Sequence, residues 1–203
     1  LRTADDELII GHRHSEWTGF GPDIESDVAL SSIAQEEIGH ARVFYEQIAA
    51  GERDEPDRLA FDRAPQEYRH AVLLERENGG WEYSIVRLAL YEPYEAGRLR
   101  LLGRCGQDPV AGLAQAIARE ERYHGLFAQT WLERLSATRE SRQRVQAALD
   151  AAWPDALGFF EETPADDLLR RAGLLAEPQA AQRGAWEEAV REGRARAGVA
   201  VAT

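Results

Sequence analysis

The sequence predicts an all-α fold, a bundle of four long helices with extra helices at its C-terminal end. Three observations carry this. Apolar residues recur at helical spacing over residues 3–17, 24–50, 81–102 and 109–135. Gly and Pro fall between these segments, where they break helices. No run of alternating β-branched residues marks a strand. The 203 residues suit one sizeable core, and 44% apolar with 30% charged residues suits a folded chain.

The first helix, residues 3–17, stops at Thr18-Gly19-Phe20-Gly21-Pro22. Asp23 is placed to cap a long second helix from Ile24 to Ala50, which Gly51 ends. Residues 51–65 read as a polar loop with a helical turn near Arg58–Asp62, and a short helix is expected over Gln66–Glu75. Asn78-Gly79-Gly80 precedes a long helix over Trp81–Leu102 with Pro93 inside it, where a bend is expected. Pro109 suits the first turn of the next long helix, 109–135. A fifth helix over 138–152 is expected to stop at Trp153-Pro154, with short helices over 166–172 and 178–194 and a frayed tail. Two helix pairs joined by one long crossover make the ferritin-like variant of the four-helix bundle. The expected organisation is a bundle over 1–154 and a C-terminal extension over 155–203, packed on the bundle or on a partner.

Composition excludes several functions. A net charge of −12 argues against nucleic acid, which needs clustered Lys and Arg. The lone Cys105 rules out a disulfide framework and cysteine-held zinc or iron–sulfur sites within one chain, and points to a cytoplasmic setting. No apolar run approaches the ~20 residues that span a membrane.

The chemistry lies in a repeated pattern. Residues 36–40 read Glu-Glu-Ile-Gly-His and residues 120–124 read Glu-Glu-Arg-Tyr-His, each in the middle of a long helix. Glu37 with His40, and Glu121 with His124, are three apart and share a helix face. Ile33 and Phe44 flank the first pair, and Ile117, Ala128 and Trp131 the second, so the charges sit on apolar stripes. A buried charge costs several kcal/mol unless it is paired or metal-bound. Bundle sites of this type add a carboxylate from each remaining helix. On the first helix the candidates are Glu16 and, more weakly, Glu7; on the third they are Glu92 and Glu95. The expected set is Glu16, Glu37, His40, Glu92, Glu121 and His124. Four carboxylates and two imidazoles suit two iron ions, with manganese as the alternative.

Other residues read more plainly. His12, one turn before Glu16, either orients that carboxylate or lies on the surface; His14 and His70 are expected on the surface. Glu36 and Glu120 point away from the ligand face, and Tyr94, Tyr123 and the five Trp residues read as packing groups.

These motifs carry a resemblance. His12-Arg13-His14-Ser15-Glu16-Trp17-Thr18-Gly19 resembles the His-x-His-Ser-Glu-x-x-Gly signature of the catalytic subunit of phenylacetyl-CoA epoxidase. Glu36–His40 resembles that family's Asp-Glu-x-Gly-His, and Glu120–His124 its Glu-Glu-x-x-His. The family's third-helix ligand is an Asp, where this chain has Glu92. Ser15-Glu16-Trp17, Gly21-Pro22 and Ala41-Arg42 also resemble the sister structural subunit, whose metal site is degraded. The resemblance implies a diiron monooxygenase that inserts one oxygen atom of O2 into the ring of an aromatic acyl-CoA. It also implies a reductase, a sister ferritin-like subunit and a homo- or hetero-oligomer. Two other functions fit the motifs: a ferritin- or rubrerythrin-like metal handler or peroxide scavenger, and a non-catalytic structural subunit.

Overall fold

Two opposed helices open the chain. The computed structural model describes residues 1–49, 55–106, 108–172 and 177–199. Among these residues every regular element is helical, as a ferritin-like bundle requires. The chain divides into two compact units, Leu1–Trp81 and Glu82–Thr203.

In the first unit, α1 (Arg2–Ser15) packs antiparallel on α2 (Ile24–Ile48). Asp23 caps α2 as expected, accepting from the Ser26 N–H at 2.8 Å. Ala50 and Gly51, expected to end α2, lie outside the described residues. The helices touch at Gly11, where an added Cβ would stand 2.8 Å from Ile38 Cγ1 and 3.0 Å from Glu37 Cβ. A side chain there would force the helices apart, so glycine fixes their closest approach. The connecting turn is tied by Asp27, which accepts from the Gly21 N–H at 2.9 Å.

That bond, with one from Gly19, holds the Asp27 carboxyl below its ordinary 3.8. A depressed carboxyl stabilises the fold above its unfolded pKa and loses that contribution as pH falls through the folded value. Asp27→Asn is therefore expected to lower thermal stability at neutral pH and to flatten the loss of stability below about pH 4. Melting curves across pH 2.5–7 on both proteins, at about ten pH values, check this.

After α3 (Glu55–Phe61), the expected helix over Gln66–Glu75 is not formed. A 3₁₀ turn at Pro65–Glu67 and one turn of helix, α4 (Val72–Glu75), take its place. The cause is competition for backbone donors: the Arg69 N–H bonds Asp5 Oδ2 and the Ala71 N–H bonds Asp6 Oδ1, each at 2.7 Å. Those donors serve α1 side chains and not a helical ladder.

In the second unit, α5 (Trp81–Leu102) has the expected bounds, with Pro93 inside it, and α6 (Asp108–Leu135) starts one residue before the expected 109. Pro93 cannot donate to the ladder, and the carbonyl of nearby Leu90 accepts from the Trp186 indole N–H at 2.8 Å. Next come α7 (Arg139–Ala156), a 3₁₀ turn at Leu157–Phe160 and α8 (Pro164–Arg171). A 3₁₀ turn at Gln179–Gln182 then leads into α9 (Arg183–Ala197). Helix α7 runs past Trp153-Pro154 where a stop was expected. A proline this close to a helix end removes one bond only, and buried Ala152, Ala156 and Phe159 hold the backbone on course. Trp186 stacks on Trp153 at 5.1 Å and packs on Phe160 at 5.2 Å, so residues from the C-terminal segment are built into this unit.

Candidate metal centre

Each unit buries a triad of two carboxylates and one imidazole. In the first, α1 supplies Glu7 and α2 supplies Glu37 and His40, with relative exposures of 0%, 0% and 5%. His40 Nδ1 lies 3.4 Å from Glu7 Oε2. The three offer ligand atoms within 4.8 Å of one another. Ile33, Ala34, Ala41 and Phe44, neighbours of Glu37 and His40 on α2, are buried as well.

In the second unit α5 supplies Glu92 and α6 supplies Glu121 and His124. His124 Nδ1 lies 3.2 Å from Glu121 Oε2 and 3.9 Å from Glu92 Oε1. Their ligand atoms also fall within 4.8 Å of one another. Ile117, Ala128 and Trp131, at helical spacing from Glu121 and His124 on α6, are buried as well.

Placing two carboxylates side by side on apolar stripes is unfavourable without a counter-charge. A divalent cation supplies that charge and accepts this donor set. Hard carboxylate oxygens with imidazole suit iron or manganese; thiolate, which would favour zinc or a cluster, is missing from both triads.

A cavity of about 350 Å³ opens in the second unit beside its triad. Its walls include Val86, Leu90, Leu132 and Leu149, and both Glu92 and Glu121 line it. Helix α9 closes one side. Gly193 lets it approach α6, with the Gln129 amide donating to the Gly193 carbonyl at 3.1 Å. Arg194 is buried on the same wall. Burial pushes its guanidinium pKa down; the charge of Asp150 works against that and the charge of Arg191 with it.

The chain matches the phenylacetic acid catabolic protein family over residues 1–203. It belongs to that family. The C component of 1,2-phenylacetyl-CoA epoxidase from Escherichia coli (strain K12) is 33% identical over 193 residues, covering 94% of this chain and 77% of that protein. The resemblance to the phenylacetyl-CoA epoxidase subunit family is thereby borne out. No helix among the described residues of this family member is long and apolar enough to cross a membrane.

Within this framework the sequence-predicted residues separate. Glu37, His40, Glu92, Glu121 and His124 all lie in the two buried triads. Glu16 does not. It follows the last residue of α1, is exposed, and pairs with Arg13 at 2.7 Å while accepting from Asn78 at 2.9 Å. Glu7 stands beside His40 instead, nine residues earlier and so roughly 13 Å along the helix axis. Glu95 is buried but turned to Arg98, with the Tyr91 hydroxyl donating to it at 3.4 Å.

His14 is buried and not on the surface, because it shares the inward stripe of α1 with Glu7 and Gly11. His70 is half-buried and bonded to Glu75 at 2.9 Å, and His12 is exposed. Glu36 and Glu120 are exposed, consistent with their turn away from the ligand faces. Tyr94 stacks on Phe159 at 4.5 Å, whereas Tyr123 is exposed.

Proposed function

We propose that this chain is a diiron oxygenase subunit in which Glu7, Glu37 and His40 together with Glu92, Glu121 and His124 hold two iron ions. The observation that carries the reading is the pair of buried Glu, Glu, His triads on apolar faces. Each triad pairs a Glu-x-x-His helix with one further Glu, the donor set that would hold iron in bundle sites of this type. Manganese suits the same donors.

The proposed reaction inserts one oxygen atom of O2 into the ring of an aromatic acyl-CoA. The other atom leaves as water, with two electrons from a reductase and two protons. A reduced iron pair, when bound, supplies the O2 activation this needs. The chain's residues do the rest. The imidazoles and carboxylates, fixed by their helices, hold the donor geometry. The apolar walls of the second unit exclude water from the space beside Glu92 and Glu121. We place the six ligands in a bundle over 1–154, with the 155–203 extension contributing α9 as a cavity wall. Similarity to one component of an epoxidase supports action within an assembly, beside a sister subunit and a reductase.

The cavity favours an organic substrate over a metal-handling or peroxide-scavenging role, which needs no such space. The test is elemental analysis of protein expressed with ample iron, followed by O2 uptake with a reductase and phenylacetyl-CoA. About two irons per chain and uptake stimulated by the thioester support the reading. Bound iron with no stimulation points to a metal handler. Protein that stays metal-free points to a structural subunit.

A further inference from the structure

The cavity of the second unit is apolar on most of its wall and carries one buried cation, Arg194 of α9. Arg194 is 4% exposed, and its Nε is sealed from solvent with no hydrogen-bond acceptor among the described residues. Asp150, which lends the guanidinium a favourable charge, is itself exposed. A guanidinium with a purely structural role in a core is normally matched by acceptors, because an unmatched buried donor is costly. Arg194 itself lines a space whose other walls include Val86, Leu90, Leu132 and Val145. Such a space, walled mostly by hydrocarbon with one buried guanidinium in its lining, matches one kind of molecule.

We propose that this cavity binds a small free carboxylic acid, its carboxylate on Arg194 and its apolar body against the aliphatic walls. At about 350 Å³ the cavity is near the lower end of ligand pockets. That size fits an acid with a single ring or a short chain and cannot enclose a whole coenzyme thioester. The mouth carries exposed Arg122 and Arg196, whose positive charge draws an anion, with exposed Glu192 opposing them. Because Glu92 and Glu121 line the same cavity, an acid held there lies beside two of the proposed metal ligands. The site itself stands on the second unit alone and needs no metal.

The test is calorimetric titration of the metal-free full chain with phenylacetate and with phenylacetamide, which has nearly the same shape and no charge. Phenylacetate is expected to bind and phenylacetamide to bind at least about tenfold more weakly. Arg194→Leu is expected to weaken phenylacetate by a similar factor, and Ala118→Phe, which fills the cavity from its wall, to abolish binding. Circular dichroism checks that both variants fold; the amide comparison on the unaltered protein needs no variant. Equal affinity for acid and amide overturns the proposal, as does unchanged affinity in folded Arg194→Leu. So does the absence of heat with phenylacetate up to about 10 mM. Metal content is measured separately, so failure of this site leaves the iron reading standing, and the reverse.

Discussion

Iron content is expected to fall from about two ions per chain to less than about one in Glu7→Gln, and to stay unchanged in Glu16→Gln. The two residues are both carboxylates of the first helical segment, and only geometry distinguishes them. Glu7 is fully buried with an oxygen 3.4 Å from His40 Nδ1, so the amide removes a charge and an anionic donor from a fixed triad. Glu16 lies past the end of α1, held at the surface by Arg13 and Asn78. Metal affinity in Glu7→Gln is expected to drop by more than about tenfold, since even residues behind the ligands cost that much when changed. A second readout separates this from unfolding. Removing one of several clustered buried carboxylates relieves repulsion in metal-free protein, so its melting temperature is expected to hold or rise. Elemental analysis and melting curves on the two variants check both halves. Iron retained by Glu7→Gln and lost by Glu16→Gln would restore the sequence-based choice.

Much of the candidate site was legible in the sequence because its key pairs are local. Glu37 with His40, and Glu121 with His124, are fixed by helix periodicity alone, and apolar neighbours at helical spacing mark the face as inward. What was not legible depends on register between helices. Residues meet across α1 and α2 as an antiparallel pair: Asp5 with Tyr45, Glu7 with His40, Gly11 with Glu37, Thr18 with Ser31. In that register Glu16 belongs beside the first half of α2 and cannot reach His40 in its second half. The signal that could have ranked Glu7 above Glu16 was Gly11, a small residue one turn after Glu7 on the same face, where the helices approach most closely. The choice between Glu92 and Glu95 has the same character. Both lie on one side of α5, and the competition is decided by Arg98, which takes Glu95. At residues 66–75 local helical preference loses to Asp5 and Asp6, whose side chains take two backbone donors from a distant part of the chain.

The same Asp5 anchors the largest expected loss of stability. Its carboxylate is fully buried and accepts from the Tyr45 hydroxyl at 2.6 Å, the Arg69 N–H at 2.7 Å and the Arg63 guanidinium. One side chain thus ties α1 to α2 and to the segment after α3. Burial works against the charge on Arg63, yet the hydrogen bond and charge of Asp5 raise its pKa overall. Burial, then Asp5, pushes the Tyr45 phenol well above its ordinary 10.0. Asp5→Ala removes the anionic partner of a guanidinium only 11% exposed, leaving it the Leu59 and Glu67 carbonyls, and leaves a phenol and an N–H without their acceptor. The expected cost is about 3–5 kcal/mol, read as a shift of the urea midpoint at neutral pH. Tyr45→Phe, which removes one neutral donor, is expected to cost about 1 kcal/mol. The pH dependence follows from the signs. A phenol whose folded pKa is raised stabilises the fold below its unfolded value and loses that contribution as pH climbs past 10.0. Stability is therefore expected to fall steeply in the alkaline range in the parent and less steeply in Tyr45→Phe. Because Asp5 precedes Glu7 by two residues on α1, Asp5→Ala is also expected to loosen the position of that carboxylate. A folded Asp5→Ala protein that keeps parental stability would show that α1 is held by its apolar contacts alone.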